Sequence, residues 1–438
     1  MEFKYVGFVG CYTMPGQADP FELSHGGIPH DRSKIGKGVL AIGVGNDGSL
    51  TFLNKGEPVI KADDLPNPSY LSFNGRRGRA ARLCVVSELG DGKWQPFRCE
   101  LTENDGVGLK LEADGELRGS GGAYPCHIIH TCSPLGMDLI LISNYGEEHG
   151  VLTIVCDDEK ILVKPDRIVF GAGSKVNYMR QQSSHAHSSC IVPSMTSSSL
   201  IDICSADLGS DSIIQFSILR RDHSLECVEK GRLAAPPGSG PRSLMFNPNA
   251  AFSNVAVVSL EMTAQVWLIR RRPHDGCLEG LGCPVSLLPE DWPNRVGATE
   301  SCEMQFNHGR WASDALWSPD GKFVYAAARL HDSISVFQLK YKIDPYRQKT
   351  STGEGCPTSV VIEHLEFVQR IPTGGRTPRC LAMSECGRFL LVAHQHSHDV
   401  SSFSRCCESG MLSFVSRLNA NCAACVKLVR PEMMIYEA

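Results

Sequence analysis

Ser318-Pro319-Asp320-Gly321-Lys322-Phe323-Val324-Tyr325-Ala326-Ala327-Ala328-Arg329 decides the fold. A Pro-Asp-Gly turn supplies preset and positive φ. Residues 323–328 then run apolar without alternation, and a strand apolar on both faces is buried on both faces. Just before the turn, Ala312-Ser313-Asp314-Ala315-Leu316-Trp317 reads as a short strand. Just after it, His331-Asp332-Ser333-Ile334-Ser335-Val336-Phe337 gives a polar turn and an alternating strand. The unit is therefore short strand, turn, buried strand, turn, alternating strand.

The same unit recurs along the chain. Its leading strand is heralded by Pro68-Ser69-Tyr70-Leu71, Pro125-Cys126-His127-Ile128, Ala186-His187-Ser188-Ser189, Pro241-Arg242-Ser243-Leu244 and Pro378-Arg379-Cys380-Leu381. Buried strands follow at residues 139–143, 254–258 and 389–393. Seven strand ends can be marked: Tyr12, Glu88, Asn144, Asp207, Glu261, Arg329 and Gln395. They are separated by 76, 56, 63, 54, 68 and 66 residues, a mean near 64. Seven copies of three or four strands at that period predict an all-β chain, a seven-bladed β-propeller. Amphipathic helical windows are scarce. One blade cannot cover its own faces, so neighbours must stack and the ring must close. Residues 5–9 and 425–429 are candidates to share a blade. We expect a single domain over residues 1–438, with loop insertions near 14–36 and 271–310 and a charged hairpin loop over 342–354.

Composition agrees with a globular chain. The 438 residues are 42% apolar and 21% charged, with 42 Gly, 25 Pro and a formal net charge of −5. That balance excludes a generally basic nucleic-acid binder. No run reaches the ~18 apolar residues needed to cross a bilayer, so no membrane partner is expected. Met1-Glu2-Phe3-Lys4-Tyr5 lacks the layout of a secretion signal. The 19 cysteines have no framework spacing and read as reduced thiols in a cytoplasmic protein. A closed ring needs no partner for its edges, so a monomer is expected.

The repeat also points to a site. The second residue of each leading motif should face the central channel: Ser69, Cys126, His187, Arg242, Ser313 and Arg379. Two arginines and a histidine in one funnel are expensive unless solvated or paired. The strand ends add Glu261 and Arg329 at the same mouth. Guanidinium groups make a planar, multidentate seat for phosphate or carboxylate. His187 can take or give a proton. Glu261 can orient His187, activate water or pair with an arginine. Together these suit an anionic substrate undergoing proton-coupled addition or elimination at a carbonyl. The alternative is a ring of buried ion pairs that fixes blade register in a non-catalytic binding scaffold.

At these residues the chain resembles the lactonase family of seven-bladed propellers, which includes 6-phosphogluconolactonases and fungal 3-carboxy-cis,cis-muconate lactonizing enzymes. The matching stretches are Asn67-Pro68-Ser69, Ser184-His185-Ala186-His187, Asp207-Leu208-Gly209-Ser210-Asp211, Gly240-Pro241-Arg242, Glu261-Met262, Ala312-Ser313-Asp314 and Arg376-Thr377-Pro378-Arg379. The resemblance implies that His187, Glu261, Arg242 and Arg329 are catalytic. It places His185, Arg379, Ser313 and Asp314 at the substrate, and His185 is an alternative for the catalytic histidine. Ser259-Leu260-Glu261 replaces a more usual Asn-Glu-Leu, which leaves the register of Glu261 open by one residue. The implied substrate is a small anionic lactone, with hydrolysis of 6-phosphogluconolactone ahead of carboxymuconate cycloisomerisation because the former belongs to general metabolism. Neither scheme requires a metal or other cofactor.

Other motifs are read as structural. Gly43-Val44-Gly45-Asn46-Asp47-Gly48 continues into strand rather than helix and is a hairpin, not a nucleotide loop. His394, His396 and His398 would share one face if extended, but a strand-end hairpin is the simpler reading. Cys422 and Cys425 lack a second ligand pair. Asp207 and Asp211 read as turn caps, His127 as a core histidine, and Arg76-Arg77-Gly78-Arg79 and Arg270-Arg271-Arg272 as solvated loops.

Overall fold

The apolar run that decides the fold becomes the strand Phe323–Arg329, every residue of it buried. The equivalent strands Asp138–Asn144, Val255–Leu260 and Phe389–His394 are buried throughout in the same way. Each is flanked on both sides by antiparallel neighbours, so the backbone groups are paired while both faces are covered. In this computed structural model the described residues are 3–14, 35–75, 81–102, 108–132, 138–146, 148–156, 166–193, 200–220, 225–292, 311–343 and 360–434.

The strands assemble into seven antiparallel sheets of four or five strands. Blade 1 has inner strand Ala423–Val429. The inner strands of blades 2 to 7 are Leu71–Asn74, Pro125–Cys132, Ala186–Ile191, Pro241–Phe246, Trp311–Trp317 and Pro378–Met383. Each inner strand touches that of the next blade, and blade 7 meets blade 1. The sevenfold period predicted from the marks is therefore the observed one. Closure mixes the two ends of the chain, as expected. Tyr5–Cys11 pairs antiparallel with Ala423–Val429, Val9 opposite Val426 and Phe8 opposite Lys427.

The core lies between blades. Phe323, Tyr325 and Val336 of blade 6 pack with Leu390, Val392 and Phe403 of blade 7. Phe8, Val9 and Val426 join blade 1 to Leu71 and Leu83 of blade 2 and to Leu391 of blade 7. Each large apolar side chain so buried contributes about 1.5–3 kcal/mol.

The glycine motif at 43–48 is the expected hairpin. Gly45 N–H donates to the Ser49 carbonyl, Asp47 accepts from the Ser49 N–H, and Gly48 takes φ +89°. The stretch read as an insertion from 271 begins differently. Leu278–Ser286 is the outer strand of blade 5, paired with Gln265–Arg271. Its weak apolar pattern hid it, since an outer strand is covered on few positions. Residues 293–310, 15–34 and 344–354 of the expected loops, and Arg76, Arg77, Gly78 and Arg79, lie outside the described residues.

Candidate active site

The leading motif does more than start a strand. In blades 3 to 7 the ladder between inner and second strands slips at its second residue. Cys126, His187 and Arg379 fall outside the pairing, as do Arg242 with Ser243 and Ser313 with Asp314. Ala424 does the same in blade 1. A bulge re-aims a side chain that a regular ladder would hold. The result is one central pocket built from all seven blades. Its wall carries Ala424, Ser69, Cys126, His187, Arg242, Asp314 and Arg379 in ring order.

Polar caps hold these bulged starts in place. The Asp211 carboxylate accepts from the N–H groups of Gly238 and Gly240, just before Arg242. The Asp332 carboxylate accepts from Thr377 N–H at 2.7 Å, just before Arg379. At the same turn of blade 7, His398 Nδ1 accepts from Cys422 N–H at 3.1 Å. All three have left-handed φ, between +50° and +61°. Asp207 accepts from His185, Gly209 and Ser210 N–H groups and so fixes the approach to His187. Asp207 and Asp211 are thus caps, as read from sequence.

Beside the pocket, Glu261 anchors a cluster of cations. Arg180 Nη2 donates to Oε1 at 2.8 Å and Arg329 Nη2 donates to Oε2 at 2.8 Å. Arg242 Nε lies 2.9 Å from Oε2 as an ion pair off the hydrogen-bond axis. Burial works against ionised Glu261, but the charges of Arg329, Arg180 and Arg242 outweigh it and hold the carboxyl well below its ordinary range. Arg242 Nη1 also donates to the Ser313 carbonyl at 2.8 Å. The guanidinium groups of Arg180 and Arg329 both lie over the Trp311 ring, at 5.2 and 5.3 Å. Among the described residues, these three guanidinium groups converge on the one carboxylate of Glu261, whose side chain is only 2% exposed. A cluster of cations is therefore buried next to the pocket.

His187 is also buried, and burial together with the charge of Arg242 drives its pKa well below the ordinary value. It is a neutral imidazole near pH 7. Its Nδ1 lies 3.9 Å from Cys126 Sγ, and Tyr145 meets it edge-on with ring centres 6.0 Å apart. Burial pushes the Cys126 thiol up, so it is not a thiolate. His185 faces elsewhere. Its Nδ1 contacts the Tyr145 carbonyl at 3.0 Å, its ring stacks on Tyr145, and burial lowers its pKa to about 4.

On the opposite wall, Arg379 Nη2 donates to Tyr12 Oη and its guanidinium lies over the Tyr12 ring. Tyr12 Oη donates in turn to Glu88 Oε2 at 2.9 Å, and Glu88 lines the pocket.

The structure thus brings His187, Arg242, Arg379 and Asp314 to one pocket, with Glu261 and Arg329 behind Arg242. Ser313 points away, its hydroxyl donating to the Pro378 carbonyl. Asp314 Oδ2 accepts from Leu381 N–H, so it also ties blade 6 to blade 7. The three histidines of the 394–398 run go separate ways. His394 pairs with buried Asp399, His396 contacts Thr377 Oγ1, and His398 holds Cys422. Cys422 and Cys425 also part, Cys425 lying 3.7 Å from Cys380. His127 lines the pocket edge, neutral, with its pKa driven by burial to about 3.

Comparison with known proteins bears on this arrangement. A family model described as "Lactonase, 7-bladed beta-propeller" matches residues 28–428. The chain belongs to this lactonase family. Among curated relatives, it is 24% identical to the 6-phosphogluconolactonase of Bacillus subtilis (strain 168), over 97% of this chain and 99% of that one. It is 26% identical to the 6-phosphogluconolactonase of Formosa agariphila, over 80% of this chain and 85% of that one. Among solved structures, the periplasmic gluconolactonase PpgL of Pseudomonas aeruginosa superposes with TM-score 0.68 at 23% identity, covering 97% and 99% of the two chains. At that identity the superposition speaks for the fold alone.

For this family member, sequence reasoning missed Arg180 and Tyr145 at the site. Arg180 lies between two blades, in the loop before the His-x-His motif, where no repeat position marks it. Tyr145 follows the mark Asn144 directly, so the strand end pointed to its neighbourhood.

Proposed function

We propose that the chain hydrolyses a small anionic sugar lactone, with 6-phosphogluconolactone as the lead substrate. The observation that carries this is the buried cluster of guanidinium groups on Glu261, reaching the pocket through Arg242, with Arg379 two blades further round the same wall. An anion entering there meets guanidinium groups already oriented, so little reorganisation is needed. The family match and the names of the two curated relatives support lactone chemistry in particular.

In this scheme Arg379 takes the anionic group of the substrate. Arg242, fixed by Glu261 and the Ser313 carbonyl, faces the lactone carbonyl and receives the charge that develops on its oxygen. Neutral His187 holds the attacking water by a hydrogen bond. Water adds to the carbonyl carbon, the ring C–O bond breaks, the ring oxygen takes a proton, and the acid leaves as its anion. Arg329 and Arg180 hold Glu261, and Asp314, Ser313 and His185 hold the pocket's shape. The reaction would belong to carbohydrate metabolism, at the lactone step of the pentose phosphate pathway. Among the described residues sixteen cysteines are free thiols, which suits a cytoplasmic setting. We propose a monomer, since the ring closes on its own strands.

The test is a panel of 6-phosphogluconolactone, gluconolactone and 3-carboxy-cis,cis-muconate, with spontaneous opening subtracted. We expect preference for the phosphorylated lactone. His187→Ala and Arg242→Ala should each lower kcat/KM by roughly 10²–10³-fold, the scale of a lost charge-stabilising donor. Unchanged turnover in both variants, or preference for the muconate, would overturn the reading.

A further inference from the structure

Two carboxylates end the second strand of a blade at the same height of the funnel, Glu88 in blade 2 and Glu261 in blade 5. They are not equivalent. Both oxygens of Glu261 are taken by guanidinium groups, and Glu261 is not on the pocket wall. A carboxylate so bound has little tendency to accept a proton. Glu88 is on the wall, with Ser69, His187 and Arg379 around the same pocket. One of its oxygens accepts from Tyr12 Oη, and that hydroxyl accepts from Arg379. Backbone bonds fix it further, its N–H donating to the Asn67 carbonyl at 3.0 Å.

We propose that Glu88 is the acid–base carboxylate of the site. This rests on the lactone-hydrolase reading above. As water adds to the lactone carbonyl, Glu88 takes one of its protons. As the tetrahedral intermediate collapses and the ring C–O bond breaks, Glu88 returns that proton to the ring oxygen. One water is consumed, the carboxylate is regenerated, and no other reactant is needed.

The surroundings of Glu88 agree with that role. Burial raises its carboxyl above the ordinary range, against the opposing pull of Arg379, Tyr12 and Arg242. The other titratable groups at the pocket are Tyr70, Cys126, His127, His187, Asp314 and Cys380, beside the charged Arg242 and Arg379. Burial keeps Tyr70 protonated, and the contact with Cys425 together with burial keeps Cys380 so. Cys126, His127 and His187 are neutral near pH 7. Two carboxyls pushed in opposite directions divide the work. The lowered one organises cations and the raised one exchanges protons.

The test compares wild type, Glu88→Gln and Tyr12→Phe with 6-phosphogluconolactone over pH 5–9. Binding of the product 6-phosphogluconate is followed by calorimetry. Wild-type kcat/KM should rise with pH along an acid limb set by Glu88. Glu88→Gln should lower kcat by about 10²–10⁴-fold, abolish that limb, and bind product within threefold of wild type. Tyr12→Phe removes a donor that favours the charged form, so its limb should move to higher pH. This variant decides the matter if Glu88→Gln does not fold. A limb and kcat unchanged in Glu88→Gln, or a limb unmoved in Tyr12→Phe, overturns the assignment while leaving the lactonase reading intact. Wild type that opens no lactone in the panel overturns both.

Discussion

Glu261 gives this site its character, because one carboxylate fixes three guanidinium groups that would otherwise repel one another. Such buried pairs are costly to break, at about 3–5 kcal/mol, though they add little net stability when whole. The imidazoles nearby make a different contribution. His127, His185 and His187 are all held neutral by burial, the first two down to about 3 and about 4. Unfolded histidine titrates near ~6.5. Below that value the unfolded chain binds protons that the folded chain refuses, so stability falls as pH falls. Glu261, with a lowered carboxyl, loses its contribution in the same direction, below the ordinary glutamate value. Glu88 runs the other way, its contribution being full in acid and lost as pH rises through its raised value. The histidines lead between about pH 6.5 and 4. Urea midpoints should therefore decline steadily from pH 7 to pH 4.5, and a flat or rising series would refute this balance.

At the scale of the element, the bulged start of each inner strand is the unit that matters. It was legible because Pro-Arg, Pro-Cys and Ala-His recur at one place in the repeat. Alternation alone would have sent the second residue of each pair to a blade face. The bulge itself leaves no composition cue, so the agreement came from periodicity and not from geometry. Arg180 and the outer strand Leu278–Ser286 were not legible for the opposite reason. One lies between repeats, and the other is a half-exposed strand with few apolar positions. Glu88 stood in plain view as a strand-end mark, yet nothing in its neighbours' identities showed that burial would raise it. Close approach between blades sets a further limit. A Cβ at Gly10 would stand 2.2 Å from the Pro68 carbonyl, next to Ser69 of the pocket. Gly10→Ala should therefore push blade 1 off blade 2 and cost about 1–3 kcal/mol in denaturant unfolding. Gly119→Ala, with nothing near its Cβ, should change little and serves as the control.

Across the whole molecule, the pocket exists only because seven blades meet. No single blade supplies more than a few of its groups, so pocket and ring stand or fall together. Val426 lies fully buried opposite Val9 in the closing pair. Val426→Asp places an unpaired charge in that seam, where desolvation is costly. We expect the variant to lose the single cooperative unfolding transition and to form oligomers through the freed Tyr5–Cys11 edge. Calorimetry and size-exclusion chromatography read this directly. A sharp single transition and an unchanged elution volume would show that the seam does not hold the ring.

The same seam bears on how the protein is made. Tyr5–Cys11 leaves the ribosome early, while its partner Ala423–Val429 follows every other blade in order of synthesis. For nearly the whole of translation that early strand has one side without its mate, and the nascent chain carries an adhesive border. A chain cut short before Ala423 would keep that border bare for good, and such a product should associate with itself more readily than the full-length chain.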